Sequence, residues 1–233
     1  MPAGPSTPLA DTVLARLTRA YSAAADPERA AAMAAYMRNQ FPFLGIQSPA
    51  QRTLSREVLA ETPRPGEDDL RAIALGCWAL PEREYQYFAC GLLRRYARAC
   101  SERFIGTART LIVTKSWWDT VDALAAHLVG PLVARHPDLV STMDDWIADE
   151  NLWLARTAIL HQLGYKEATD PGRLFRYCTA QAGHSDFFVR KAIGWALREY
   201  AKTDPAAVRA FVRSHDSRLS GLSVREALKN VGS

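Results

Sequence analysis

Apolar positions recur at three- and four-residue intervals along nearly the whole chain, and no run alternates β-branched with polar residues; the pattern predicts an all-α protein. Helix starts are densely marked at Pro27-Glu28, Ser48-Pro49, Glu67-Asp68, Pro81-Glu82, Ser101-Glu102, Pro137-Asp138, Pro171-Gly172 and Asp204-Pro205. Cap side chains, first-turn prolines and early acids suit the free N–H groups at a helix start. The marks predict about a dozen short helices. Only FPFLGIQSP (41–49) and the stretch around Pro63-Arg64-Pro65-Gly66 read as longer connections. Neither is long or polar enough to divide the chain, so one continuous domain over 1–233 is expected.

A cap residue followed by a bulky pair recurs as Ser116-Trp117-Trp118, Asn151-Leu152-Trp153 and Asp186-Phe187-Phe188, with both spacings equal to 35 residues. That length accommodates two helices and their turns, the unit of a helical-hairpin solenoid. The predicted architecture is therefore a curved α-α superhelix whose successive second helices line a concave face carrying Trp118, Arg156 and Trp195.

Some side chains do not fit the core pattern. In a helix over 116–129, Trp117, Val121, Leu124 and Leu128 form the apolar stripe, while Trp118 and Asp122 share a face rotated about 100° from it. Around Trp195 the row Val189, Ile193, Ala196 and Tyr200 is apolar, whereas the neighbours three and four positions from Trp195 include Lys191, Arg198 and Glu199. Arg156 has Leu152, Trp153, Ile159 and Leu160 at those distances, and a cation in such company needs a partner. Asp149, Glu150 and Asp122 are candidates, as is an anionic ligand, and the carboxylate can release the guanidinium when that ligand arrives. Asp122 is an ordinary solvated helix carboxylate on one reading; on the other it stabilises positive charge on a sugar and positions a water. Flat aromatics beside cations suit contact with a sugar or base while the cations hold phosphates.

Composition narrows the classes. With 233 residues and 48% hydrophobic content, a sizeable core is available. Cys77, Cys90, Cys100 and Cys178 form no CxxC, and the histidines no ligand spacing, so neither a metal nor a disulfide framework is expected. The thiols read as small core hydrophobes in a reducing compartment. MPAGPSTPLAD lacks signal-peptide features and no apolar run is long enough to span a bilayer, which places the expected protein in the cytoplasm. The net charge of +4 lies wholly in residues 184–233, where nine Lys and Arg face five Asp and Glu. Arginines outnumber lysines 24 to 5, which suits forked phosphate contacts or reflects a GC-rich genome.

Taken in order, YMRNQFPFLGIQSPAQR (36–52), EYQYFA (84–89), KSWWDTVD (115–122), NLWLARTAILHQLGYKEATD (151–170), FFVRKAIGWALREYAKTDP (187–205) and LSVREALKN (222–230) make the chain resemble the AlkD-type DNA glycosylases of the DNA alkylation repair family. The resemblance covers nearly all of the sequence and is weakest over the first thirty or so residues. It implies HEAT-like helical repeats and removal of cationic N3- or N7-alkylated purines from double-stranded DNA. The family's catalytic aspartate falls on Asp122, its aromatic contacts to the lesion-bearing nucleotide on Trp118 and Trp195, and its phosphate-facing arginine on Arg156. Arg190, Lys191 and Arg198, with Arg209, Arg213, Arg218, Arg225 and Lys229 behind them, would fix the duplex through its backbone. Gln40, Phe41, Pro42 and Phe43 either press on the duplex or form a structural corner. The implied protein is a monomer without cofactor, nucleoid-associated when bound to DNA. A non-catalytic DNA- or damage-binding module and a peptide-binding solenoid remain the alternatives; an acid among cations favours the enzyme over the pure binder.

Overall fold

The computed structural model describes residues 6–229, which are helical with no strand among them. It consists of two compact units, Met1–Lys115 and Ser116–Ser233. The first holds α1 (Pro8–Ala23), α2 (Pro27–Tyr36), α3 (Ser48–Leu59), α4 (Glu67–Ala79), α5 (Arg83–Tyr96) and α6 (Phe104–Val113). The second holds α7 (Trp118–Leu124), α8 (Gly130–Arg135), α9 (Val140–Ile147), α10 (Leu152–Leu160), α11 (Pro171–Ala180), α12 (Phe187–Tyr200), α13 (Pro205–Ser214) and α14 (Gly221–Leu228). The all-α repeat architecture is as expected, and its period runs further than the three bulky pairs indicated: α3, α5, α7, α10, α12 and α14 begin at residues 48, 83, 118, 152, 187 and 221, always 34 or 35 apart.

Most of the marked starts are used. Asp26, Asp170 and Asp204 each cap the helix that follows by accepting from a backbone N–H three residues on, at 2.8–3.0 Å. Three marks lie early: α5 opens at Arg83 with Glu82 as its cap, a turn over 101–103 precedes α6, and a 3-10 turn over Pro137–Leu139 precedes α9. Asn230, the last residue of LSVREALKN, and the initial MPAGP lie outside the described residues.

In the first unit, α4 and α5 pack together and α1 covers α3 and α4, around Leu17, Tyr21, Ile73, Trp78, Phe88 and Leu93. The 41–49 connection is tied down by the buried Glu84, whose carboxylate accepts from the backbone N–H groups of Leu44, Gly45 and Ile46 at 2.8–3.1 Å. Three donors offset the cost of burying that charge. Gly45 is required there: its φ is +89°, and a Cβ would stand 2.1 Å from the Asp26 carbonyl. Phe41 lies 3.8 Å beneath the Arg83 guanidinium, Phe43 is buried, and the Pro42 carbonyl accepts from Arg83 N–H. This corner has a structural role, leaving only Gln40 and Pro42 of the four exposed.

In the second unit, α7 continues through a π-helical turn over Ala125–Val129 directly into α8. Gly130 ends that turn against the end of α10, where a Cβ would lie 2.3 Å from the His161 carbonyl. Tyr165 donates to the Gly130 carbonyl at 2.7 Å and closes the joint. The absent side chain and the wide turn together let α7 lie close along α10, which brings residues 122 and 156 within reach of each other. Cys77, Cys100 and Cys178 are core residues, as expected, whereas Cys90 is half-buried. Burial pushes the Cys77 and Cys178 thiols well above the usual thiol range.

His161 sits inside the second unit with its Nδ1 on the Ala158 carbonyl at 2.7 Å and its Nε2 without a partner. Burial holds its pKa at about 4, from an ordinary 6.5, so between those values the unfolded chain takes up a proton that the folded chain refuses. Stability from this group is complete above pH 6.5 and falls as pH drops toward 4, by about 3 kcal/mol at most. Urea unfolding of His161→Leu should show a correspondingly shallower loss of stability over this pH interval than the parent; equal slopes would refute the assignment.

Candidate active site

The site residues come from α7, α10 and α12. Ser116 was the expected cap of α7, but the structure places Trp117 there in extended conformation (φ −159°, ψ 160°), one residue later. The helix caps Trp117, Asn151 and Asp186 are therefore spaced by 34 and then 35. The one-residue slip decides which tryptophan meets the aromatics of the following repeats. Trp117, not a rung of the apolar stripe, closes an aromatic joint with Phe188 (centroids 5.0 Å) and Trp153 (6.0 Å), which themselves lie 5.1 Å apart. Trp118, one residue on, is half-buried like Trp117, while Val121, Leu124 and Leu128 form the buried stripe.

One turn after Trp118, Asp122 meets Arg156 of α10 in a forked pair: Nε donates to Oδ1 and Nη2 to Oδ2, both at 2.7 Å. Nη1 of Arg156 donates to the Phe188 carbonyl on α12. This guanidinium links three successive repeats, and of the two partners it is the more enclosed, with 3% of its side chain exposed against 12% for Asp122. Arg156 was expected to face a phosphate or to pair with a carboxylate; here three of its N–H groups are committed inside the protein, and Asp122 rather than Asp149 or Glu150 is the partner. Burial raises the Asp122 carboxyl above the usual aspartate range, against the opposing pull of the Arg156 hydrogen bonds and charge. Asp119 adds a further upward push.

A second cluster surrounds Trp195 on α12. Lys191 and Arg198 lie a turn before and a turn after it on the same face. Both were expected to stand free as phosphate contacts, yet each is bonded to Glu226 of α14: Lys191 Nζ to one carboxylate oxygen at 2.7 Å, Arg198 Nη1 to the other at 2.8 Å. The Lys191 hydrogen bond, helped by the surrounding cations, holds the Glu226 carboxyl below its usual range. Arg190 donates through Nε to the His184 carbonyl at 2.8 Å. Trp195 itself is half-buried.

Sequence reasoning missed Glu226 and the Phe188 carbonyl. Glu226 lies within LSVREALKN with nothing to mark its role, and a backbone acceptor carries no side-chain signal. One signal was available: partners sit about one repeat apart, as in Asp122 with Arg156 (34 residues), Lys191 with Glu226 (35) and Tyr177 with Asp144 (33). Chemically, the arrangement offers a carboxylate fixed by a guanidinium, an indole one helical turn away, and a second indole flanked by two cations.

The chain has counterparts among known proteins. Residues 17–231 match the family model for DNA alkylation repair enzymes. A solved structure described as a predicted DNA alkylation repair enzyme from Enterococcus faecalis is 34% identical, with TM-score 0.81 over 90% of this chain and 97% of that one. AlkD2 from Streptococcus mutans shares the fold at 14% identity, TM-score 0.60, covering 81% of this chain and 92% of its own. The protein smu.31 from Streptococcus mutans does so at 15% identity, TM-score 0.59, covering 76% and 91%. No curated protein matches the chain.

Removing one partner of a buried pair leaves the other charge uncompensated. Arg156→Met should therefore cost about 3–5 kcal/mol in urea unfolding. Replacing both residues, as Asp122→Leu with Arg156→Met, should recover most of that loss. Additive losses in the double variant would show that the two side chains do not act as a unit.

Proposed function

The chain belongs to the DNA alkylation repair enzyme family, and from that membership we propose that it is a DNA glycosylase hydrolysing the N-glycosidic bond of cationic N3- or N7-alkylated purines in double-stranded DNA. The observation that carries the reading is Asp122, a carboxylate gripped at both oxygens by Arg156 beside a half-exposed indole. The family model spans both compact units, which supports treating the whole chain as one functional domain.

Alkylation at N3 or N7 leaves the purine positively charged. When the C1′–N bond breaks, its electron pair neutralises the base, which departs without needing a proton. A site with no general acid then suffices, and the hydrolysis as written uses no cofactor. Positive charge passes to the sugar, where the Asp122 carboxylate and the π-faces of Trp118 and Trp195 stabilise it. Water adds to C1′ and gives up its proton, to Asp122 or to solvent, completing the replacement of base by hydroxyl. Arg156 acts as the residue that orients Asp122 and keeps it ionised. Arg190, Lys191 and Arg198 contribute phosphate contacts, giving a salt-dependent affinity. The protein acts as a monomer in the compartment that holds the DNA. Among the described residues no helix is long and apolar enough to cross a membrane.

Incubation with methylated duplex should release 3-methyladenine or 7-methylguanine well above spontaneous depurination. Asp122→Asn should slow that release by about 100-fold or more while duplex binding persists. Binding without release by the parent protein would overturn the enzyme reading in favour of a damage-binding module.

The pH profile provides a separate check. Asp122 works ionised and burial raises its carboxyl, so single-turnover release should fall with acidification at a pH above the ordinary aspartate range. A rate flat down to that range would contradict the role.

A further inference from the structure

We propose that Glu226 is a positioning residue that fixes Lys191 and Arg198 as a bracket on either side of Trp195, so that backbone phosphates are received only where the indole can meet the sugar between them. The inference rests on the DNA-glycosylase reading for its substrate and adds a residue and a role to it.

The bracket is built from three features. Lys191, Trp195 and Arg198 share one face of α12, four and three residues apart. A single carboxylate joins the two cations, one oxygen to each at 2.7 and 2.8 Å, and is itself largely enclosed, with 14% of its side chain exposed. The third feature is the closeness of α14 to α12. A Cβ on Gly194 would stand 2.5 Å from the Glu226 Cβ and 2.9 Å from the Ser223 carbonyl, so only glycine permits this approach. Ser223 Oγ then donates to the Arg190 carbonyl at 2.9 Å, and Ser220 caps α14 by accepting from the Ser223 N–H at 3.1 Å. The Glu226 backbone is thereby set on α12 and its side chain is held by both cations.

The electrostatic consequence follows from donor counting. An ammonium has three N–H groups and a guanidinium five, so each cation gives one to Glu226 and keeps others for a ligand. The triad carries one net positive charge. The carboxylate between the cations repels a phosphate from the middle of the bracket, leaving the outer edges of Lys191 and Arg198 as the favourable seats. Two long side chains that would otherwise sample many rotamers are ordered before DNA arrives, which lowers the entropy cost of a correctly registered complex.

The test uses the full chain and Glu226→Gln, with an undamaged duplex and the same duplex holding one tetrahydrofuran abasic-sugar analogue. Freed cations should bind any phosphate. Affinity for undamaged duplex should rise severalfold at low salt, and its log–log salt slope should steepen by about one. Preference for the analogue-bearing duplex should fall by about tenfold. In a Lys191→Gln, Arg198→Gln background the same Glu226 substitution should leave the preference for the analogue-bearing duplex unchanged, because nothing is left to position. A merely structural Glu226 would behave otherwise: both affinities would weaken together with the melting temperature, and the effect would persist in that background. That result, or binding identical to the parent, overturns the proposal. Release of methylated purines by the parent is scored separately. Its absence alongside the expected binding changes would defeat the glycosylase reading and leave the bracket standing.

Discussion

The forked ion pair between Asp122 and Arg156 is the constraint to which the rest of the second unit answers. A carboxylate and a guanidinium both withdrawn from water have to meet in good geometry, because attraction compensates desolvation only when the hydrogen bonds are short and aligned. Meeting that requirement takes Gly130, which lets the α7–α8 rod lie against the end of α10, and the Phe188 carbonyl, which accepts the Nη1 hydrogen bond. The aromatic joint of Trp117, Trp153 and Phe188 holds the starts of α7, α10 and α12 together around the same point. One guanidinium thereby couples three repeats, and the acid proposed for the chemistry is also what satisfies a buried cation.

The two halves of the site treat charge differently. At Asp122 burial raises the carboxyl, while Arg156 opposes that shift and preserves the anion. At Glu226, a carboxylate about equally enclosed, the neighbouring lysine and arginine win and depress it, and these cations are more exposed than Arg156 and keep spare donors. An enclosed carboxylate suits stabilising a short-lived positive sugar; cations with donors to spare suit holding a permanent negative backbone. The division is consistent with membership of the DNA alkylation repair enzyme family, and it gives a physical reason why acids recur on a surface proposed to meet phosphate.

Much of the fold was legible because helix signals are local. Prolines 27, 171 and 205 and the aspartates before them mark starts that the structure uses, and the recurrence of bulky pairs disclosed a period that six helices share. The slip at Ser116 and Trp117 was not legible: both are plausible caps locally, and the interval of 34 rather than 35 is set by tertiary packing. In the site, Trp118, Asp122, Arg156 and Trp195 stood out because each breaks the apolar pattern of its own helix. How they are engaged was only partly legible: Asp122 was among three carboxylates open to Arg156, and nothing local singled it out. The partners of Arg156, Lys191 and Arg198 lie on other helices, and a cation's helical neighbours do not tell whether its charge meets solvent, substrate or a carboxylate one repeat away.

In the proposed mechanism the lesion's own positive charge makes the base a leaving group, and a fixed carboxylate needs only to support the sugar. Single-turnover release of 7-methylguanine, which is cationic, and of hypoxanthine, which is neutral, from otherwise identical duplexes tests it most directly when each rate is divided by its spontaneous rate. Strong acceleration is expected for 7-methylguanine and none for hypoxanthine. Comparable acceleration of both would mean that a protein acid protonates the departing base, and would contradict it.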